Sequence, residues 1–182
     1  MISCGNVKPG LKDHRQAVTT YRRIAEDFAQ LLKRELGEQL VSVVLYGSVA
    51  RGDAQVGSDI DILVIVDAPS LEEKQAVRER VLDLVMEFEN TGLLEELFQQ
   101  GRLVDFEYRL YTKEEAQRTH IFYLDLTQDG VLLVDREGFF ATKLEQVRQR
   151  MRELGTRRVY LEDGCWYWEL KPGMQPGEVV EL

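Results

Sequence analysis

Val43-Val44-Leu45-Tyr46-Gly47-Ser48-Val49-Ala50-Arg51-Gly52-Asp53, continued as Gly57-Ser58-Asp59-Ile60-Asp61-Ile62-Leu63-Val64-Ile65-Val66, is the stretch that decides the fold. Leu40 to Tyr46 is short, β-branched and nearly all apolar, which suits a buried strand. It ends at a Gly-Ser. A short polar connection follows, and a second apolar run, Ile60 to Val66, opens with two aspartates separated by one residue. That second run reads as a strand buried on both faces. Acids at its start therefore need a reason to be there.

Helical patterns lie on either side. From His14 to Leu36, Ala17, Tyr21, Ile24, Ala25, Phe28, Leu31, Leu32 and Leu36 recur at three- and four-residue steps. They predict an amphipathic helix closed by Gly37. Ser70 with Glu73 resembles a capping box, and the following helix runs to about Phe98 with a break near Asn90-Thr91-Gly92. Gly101 ends it. Leu103 to Tyr111 predicts a third strand, with Val104, Phe106, Tyr108 and Leu110 on the core face and Leu103, Asp105, Glu107 and Arg109 on the other. A second capping box, Thr112 to Glu115, starts a short helix. Val131 to Val134 suggests a fourth strand, 138–154 a helix, and 159–161 and 165–170 strand-like tail segments. Residues 1–12 read as a loose arm.

These elements predict an α+β domain: a mixed central sheet flanked by helices, with a small C-terminal α/β extension. We divide the chain into a core over 13–112 and an extension over 113–182 packed on it. The 182 residues are enough for one domain with a real core. A net charge of −9 disfavours long nucleic acids as partners. Cys4 and Cys165, far apart, form neither a disulfide framework nor a zinc pattern and fit a reducing cytoplasm. No signal peptide and no apolar run of membrane-spanning length is seen.

The spacing also allows chemistry. Asp59 and Asp61 at i and i+2 project from one strand face, and a divalent cation would relieve their repulsion. Magnesium accepts one or two carboxylates together with phosphate oxygens. Solvated acids on an edge strand are the ordinary alternative for Asp-x-Asp taken alone. Gly47 would let a backbone turn approach a phosphate, and Ser48 stands at an expected helix start, where anions bind. Arg51 could reach the same phosphates. A lone Gly-Ser is usually only a turn, and no P-loop lysine follows.

Taken together, Gly47-Ser48-x-Ala50-Arg51-Gly52-Asp53 and Ser58-Asp59-Ile60-Asp61-Ile62-Leu63-Val64 resemble the signature of the DNA polymerase β-like nucleotidyltransferase superfamily, and most closely its minimal nucleotidyltransferase domains. The resemblance covers about residues 20–112. It implies a polymerase β palm-like fold. Gly47, Ser48, Arg51 and Ser58 would bind the nucleotide, and Asp59 and Asp61 would hold two magnesium ions. A third acid on a neighbouring strand would complete the metal site and the catalytic set. Glu107 within Glu107-Tyr108-Arg109-Leu110-Tyr111-Thr112-Lys113 is preferred, and Asp105 within Val104-Asp105-Phe106 competes. The implied reaction moves a nucleoside monophosphate from ATP or another triphosphate to a hydroxyl of a small molecule or protein, releasing pyrophosphate. The alternatives are an antitoxin-like partner of a helical toxin protein and a nucleotide-binding module without turnover. A helical protein partner or a homodimer is compatible with either.

Other candidates read as structural. His14 and His120 lack partners at ligand spacing. Trp166-Tyr167-Trp168 could stack a base or an acceptor, but burial is the commoner fate. From Lys143 to Arg158 six basic residues face two acids. This local reversal of charge could attract an anion, or simply be a solvated helix face.

Overall fold

The computed structural model describes residues 11–99, 104–162, 164–175 and 177–182. Most of the expected N-terminal arm lies outside these residues, as do Cys4, Gly101 and Leu103.

Helix α1 (Leu11–Leu36) buries Ala17, Tyr21, Ile24, Ala25, Phe28, Ala29, Leu32 and Leu36, one stripe at helical spacing. Gly37, with φ of +52°, ends it. Strand β1 (Leu40–Tyr46) is buried from Leu40 through Leu45. A five-residue helix, α2 (Gly47–Arg51), and a loop lead to β2 (Ile60–Val66). Helix α3 (Leu71–Glu89) starts at a complete capping box. The Ser70 hydroxyl accepts from Glu73 N at 3.2 Å, and the Glu73 carboxylate accepts from Ser70 N at 3.0 Å. Such a cap contributes about 1 kcal/mol. The chain breaks at Asn90-Thr91 and resumes as α4 (Gly92–Gln99).

Strand β3 (Phe106–Thr112) follows, and the Thr112–Glu115 capping box opens α5 (Lys113–Gln117). Helix α6 (Tyr123–Asp129), strand β4 (Val131–Asp135) and helix α7 (Phe139–Leu154) come next. The hairpin of β5 (Arg157–Tyr160) and β6 (Trp166–Glu169) comes last. Helix α6 escapes the sequence reading because two turns are too short for a helical period to show.

The main sheet has the order β3-β2-β1-β4. β1 is antiparallel to β2 and β4, and β2 is parallel to β3. The parallel pair is joined by the long α3–α4 crossover, as parallel geometry requires. This is the mixed sheet expected from the sequence.

Both sheet faces are covered. Ile60, Ile62, Val64 and Val66 share one core with α1 and α3. Leu63 and Ile65 share the other with Tyr123 and Leu124 of α6 and Phe140 and Leu144 of α7. Strand alternation places Asp61 on this second face, at the start of β2. Ser42, buried in β1, donates to Asp135 Oδ1 at 2.6 Å, and Asp135 accepts from Phe140 N and Ala141 N at the start of α7. That contact ties the second layer to the sheet. Among the described residues no helix is long and apolar enough to cross a membrane.

Candidate active site

The antiparallel register sets Tyr46 opposite Asp61, so β1 ends where β2 begins. The chain turns there at Gly47, with φ of +71°. A Cβ at Gly47 would overlap Asp61 Oδ2 and lie 2.7 Å from its Cγ. Glycine is therefore required twice, by backbone angle and by close approach. Ser48 follows in α2. That helix closes at Gly52, whose N donates to Ser48 O at 3.0 Å.

Helix α1 holds this turn from behind. Arg22 Nε donates to Val49 O at 3.2 Å and Arg22 Nη2 to Ala50 O at 2.6 Å. The buried Tyr21 hydroxyl accepts from Gly57 N at 3.1 Å and anchors the loop before β2. Within that loop Ser58 Oγ accepts from Gln55 N at 2.9 Å, and Ser58 N donates to Gln55 O at 3.0 Å. Ile60 N then donates to Asp105 O at 2.8 Å, joining the start of β2 to β3 beside Asp59.

The parallel register pairs Asp61 with Glu107, so their side chains project from the same sheet face. Asp61 is pushed up to about 6, first by burial, then by the charges of Glu107 and Asp59. Arg51 and Arg109 only partly oppose this. Arg109 lies 3.6 Å from Glu107 Oε1 and donates through Nε to the Tyr46 hydroxyl at 3.1 Å. Burial pushes Tyr46 up to about 12 despite that bond.

Asp105, the competing candidate, stands just before the start of β3. Its Oδ1 accepts from Phe106 N at 2.8 Å. Its charge falls on Glu89, which burial and then Asp105 push upward.

Magnesium fits these residues by the chemistry of the donors. They are hard oxygens, and Asp61 bears a repulsion that the chain's own cations leave in place. Among the described residues no three His, Cys, Asp or Glu side chains close into a preformed cage. A magnesium ion that takes most of its oxygens from phosphate and water needs none.

A cleft of about 430 Å³ opens over the site. Gly47, Ser48, Arg51, Ser58, Asp59 and Asp61 line one part, and Asp125, Trp166 and Trp168 line another. Glu107 stands beside Asp61 outside this lining. The tail tryptophans thus combine two readings: Trp166 is only 9% exposed, yet both indoles border the cleft. Tyr21, Arg22, Asp125 and Arg158 belong to the surroundings of the site and have no local signature in the sequence.

The remaining candidates are structural. His120 stacks on Tyr111 with ring centroids 4.7 Å apart. The basic stretch is largely consumed internally. Lys143 Nζ donates to Gln117 O and Thr119 Oγ1, Arg148 pairs with Glu145, Arg150 with Glu153 and Arg152 with Glu145. Arg158 alone of these reaches the wall of the cleft, through Asp125 and the two tryptophans.

Comparison with known proteins extends the picture. Residues 22–130, more than half of the chain, match the family model described as the nucleotidyltransferase domain. Two proteins of Methanocaldococcus jannaschii, each named "Putative protein adenylyltransferase", are similar to it. One is 44% identical over 66 residues, covering 36% of this chain and 44% of the relative. The other is 40% identical over 55 residues, covering 30% of this chain and 56% of the relative. The chain thus spans about half the length of these curated relatives. Among solved structures, a toxin–antitoxin crystal structure with AMP-PNP has a TM-score of 0.39 and 17% identity, covering 71% of this chain and 92% of that one. A structure titled as a "putative nucleotidyltransferase" from Sulfolobus solfataricus has a TM-score of 0.35 and 22% identity, covering 74% and 95%.

Proposed function

The chain belongs to the nucleotidyltransferase domain family, and from this premise we propose that it transfers a nucleoside monophosphate, with magnesium, from a nucleoside triphosphate to a hydroxyl acceptor. The observation that carries this reading is the in-register pairing of Asp61 with Glu107, beneath the glycine turn that leads into Ser48.

In this reading the Gly47-Ser48 backbone, the Ser48 hydroxyl and Arg51 receive the triphosphate, with Ser58 beside them. Asp59, Asp61 and Glu107 hold magnesium. Bound there, it supplies charge neutralisation on the phosphate oxygens. Glu107, exposed on β3, accepts the proton of the acceptor hydroxyl. The hydroxyl oxygen forms a bond to the α-phosphorus. The bond from that phosphorus to the bridging oxygen breaks, and pyrophosphate leaves on the Arg51 side. The protein acts chiefly by positioning and by electrostatic complementarity.

The names of the two archaeal relatives support ATP as the donor and a protein as the acceptor. The test is transfer of label from α-labelled triphosphates to candidate proteins and metabolites, with and without magnesium. Magnesium-dependent label on an acceptor, lost in Asp61→Asn, is the expected result. Release of labelled monophosphate to water alone would contradict transfer.

A further inference from the structure

The C-terminal hairpin sits on the nucleotide cleft, and nothing in the catalytic reading uses it. Trp166 and Trp168 are two apart on β6 and face one side, while Tyr167, 41% exposed, faces the other. Both residues line the cleft, and Trp168 also packs in part against the second core. They are also the chain's only two tryptophans.

Both indoles are fixed in place. Arg158, across the hairpin from Trp168, places its guanidinium carbon 5.0 Å from each indole ring. Its Nη2 reaches Asp129 Oδ2 at 2.7 Å and Asp125 Oδ1 at 3.2 Å. The Trp168 indole N–H donates to the same Asp125 Oδ1 at 2.9 Å. Arg51 then lies over Trp166 at 5.1 Å, linking the aromatic wall to the phosphate end of the cleft. An ordered aromatic wall loses little freedom when a planar ligand binds it.

The position of the wall selects which reactant it serves. Resting on the transferase reading above, the acceptor enters over β3, where Glu107 can take its proton. Glu107 is not part of the cleft that the tryptophans line. The wall stands instead beside Arg51, Ser48 and Asp59, where the triphosphate lies. A volume of about 430 Å³ suits a small polar ligand with a planar ring. We infer that the β5–β6 hairpin is the nucleoside end of the site, with Trp168, supported by Trp166 and Arg158, stacking the base of the bound triphosphate.

Stacking of a base on an aromatic residue is sequence-tolerant, and removing the residue weakens binding by roughly 5- to 150-fold. The test compares Mg–ATP with Mg–tripolyphosphate, which keeps the phosphates and lacks the nucleoside. Calorimetric affinities are measured for the full chain and for Trp168→Ala, Trp168→Phe and Trp166→Phe. Indole emission is followed in parallel, since only the hairpin emits as tryptophan. The expected result is quenching by Mg–ATP and little by Mg–tripolyphosphate. Trp168→Ala loses about tenfold or more in Mg–ATP affinity while its tripolyphosphate affinity stays put, and Trp168→Phe recovers most of the loss. Equal loss of both ligands in Trp168→Ala would show a merely structural hairpin and overturn the inference. So would unchanged Mg–ATP affinity, including the case in which only the acceptor KM rises. Those failures leave wild-type Mg–ATP binding intact. Failure of wild type to bind either ligand would instead bring down the transferase reading and the inference together.

Discussion

Gly47 packs so closely on Asp61 that any side chain at position 47 would overlap the Asp61 carboxylate. The contact joins the turn that follows β1 to the strand that carries Asp61, with no space between them. Gly47→Ala is expected to displace Asp61 and to strain a backbone with φ of +71°. The variant should lose about 1–3 kcal/mol in urea unfolding, and with it triphosphate binding. Wild-type affinity in Gly47→Ala would show that the contact is incidental.

Glu107 and Asp105 separate in the structure, and turnover should separate them too. Glu107→Gln is expected to lower label transfer by about 10²–10⁴-fold, the range for a lost general base. Asp105→Asn, whose native carboxylate accepts from its neighbouring amide, should stay close to wild type. The opposite pattern would move the role to Asp105.

Asp61 should leave a signature in stability measured in EDTA. Unfolded, it ionises near 3.8, and in the folded chain at about 6. Between those values the folded state keeps a proton that the unfolded state has released. Stability from this group therefore falls as pH rises through that window and is lowest above it. Asp61→Asn removes the penalty. It should gain about 1–2 kcal/mol near neutral pH, a figure discounted for the residue's partial access to solvent, and nothing near the ordinary carboxylate pKa. Urea melts across the window measure this, and a gain independent of pH would refute the assigned cause.

Arg22 contributes from outside the motif, through two bonds to the Val49 and Ala50 carbonyls of α2. Arg22→Ala should cost about 1–3 kcal/mol and raise the KM for the triphosphate. Arg22→Lys should recover little, because one ammonium cannot reproduce the guanidinium fork. Full rescue by lysine would reduce the interaction to simple charge.

The pattern of what was legible follows from the range of the forces involved. Strands β1 and β2, both capping boxes and the break at Asn90-Thr91 depend on near neighbours, so composition and spacing reveal them. The core face of β3 was likewise readable from alternation, and Phe106 is buried as expected. Contacts made across long sequence distances were hidden. Arg22 reaches α2 over 27 and 28 residues, and Trp168 meets Asp125 over 43. No local window contains such pairs, so the tail could be read as aromatic and partly buried but not placed at the cleft.

In the proposed function Asp59 and Asp61 hold a magnesium–triphosphate complex. Calorimetric titration of ATP in magnesium and in EDTA, on wild type, Asp59→Asn and Asp61→Asn, tests it most directly. Binding is expected only for wild type with magnesium, with both variants melting no lower than wild type in EDTA. Magnesium-supported binding by Asp61→Asn at wild-type affinity would contradict it.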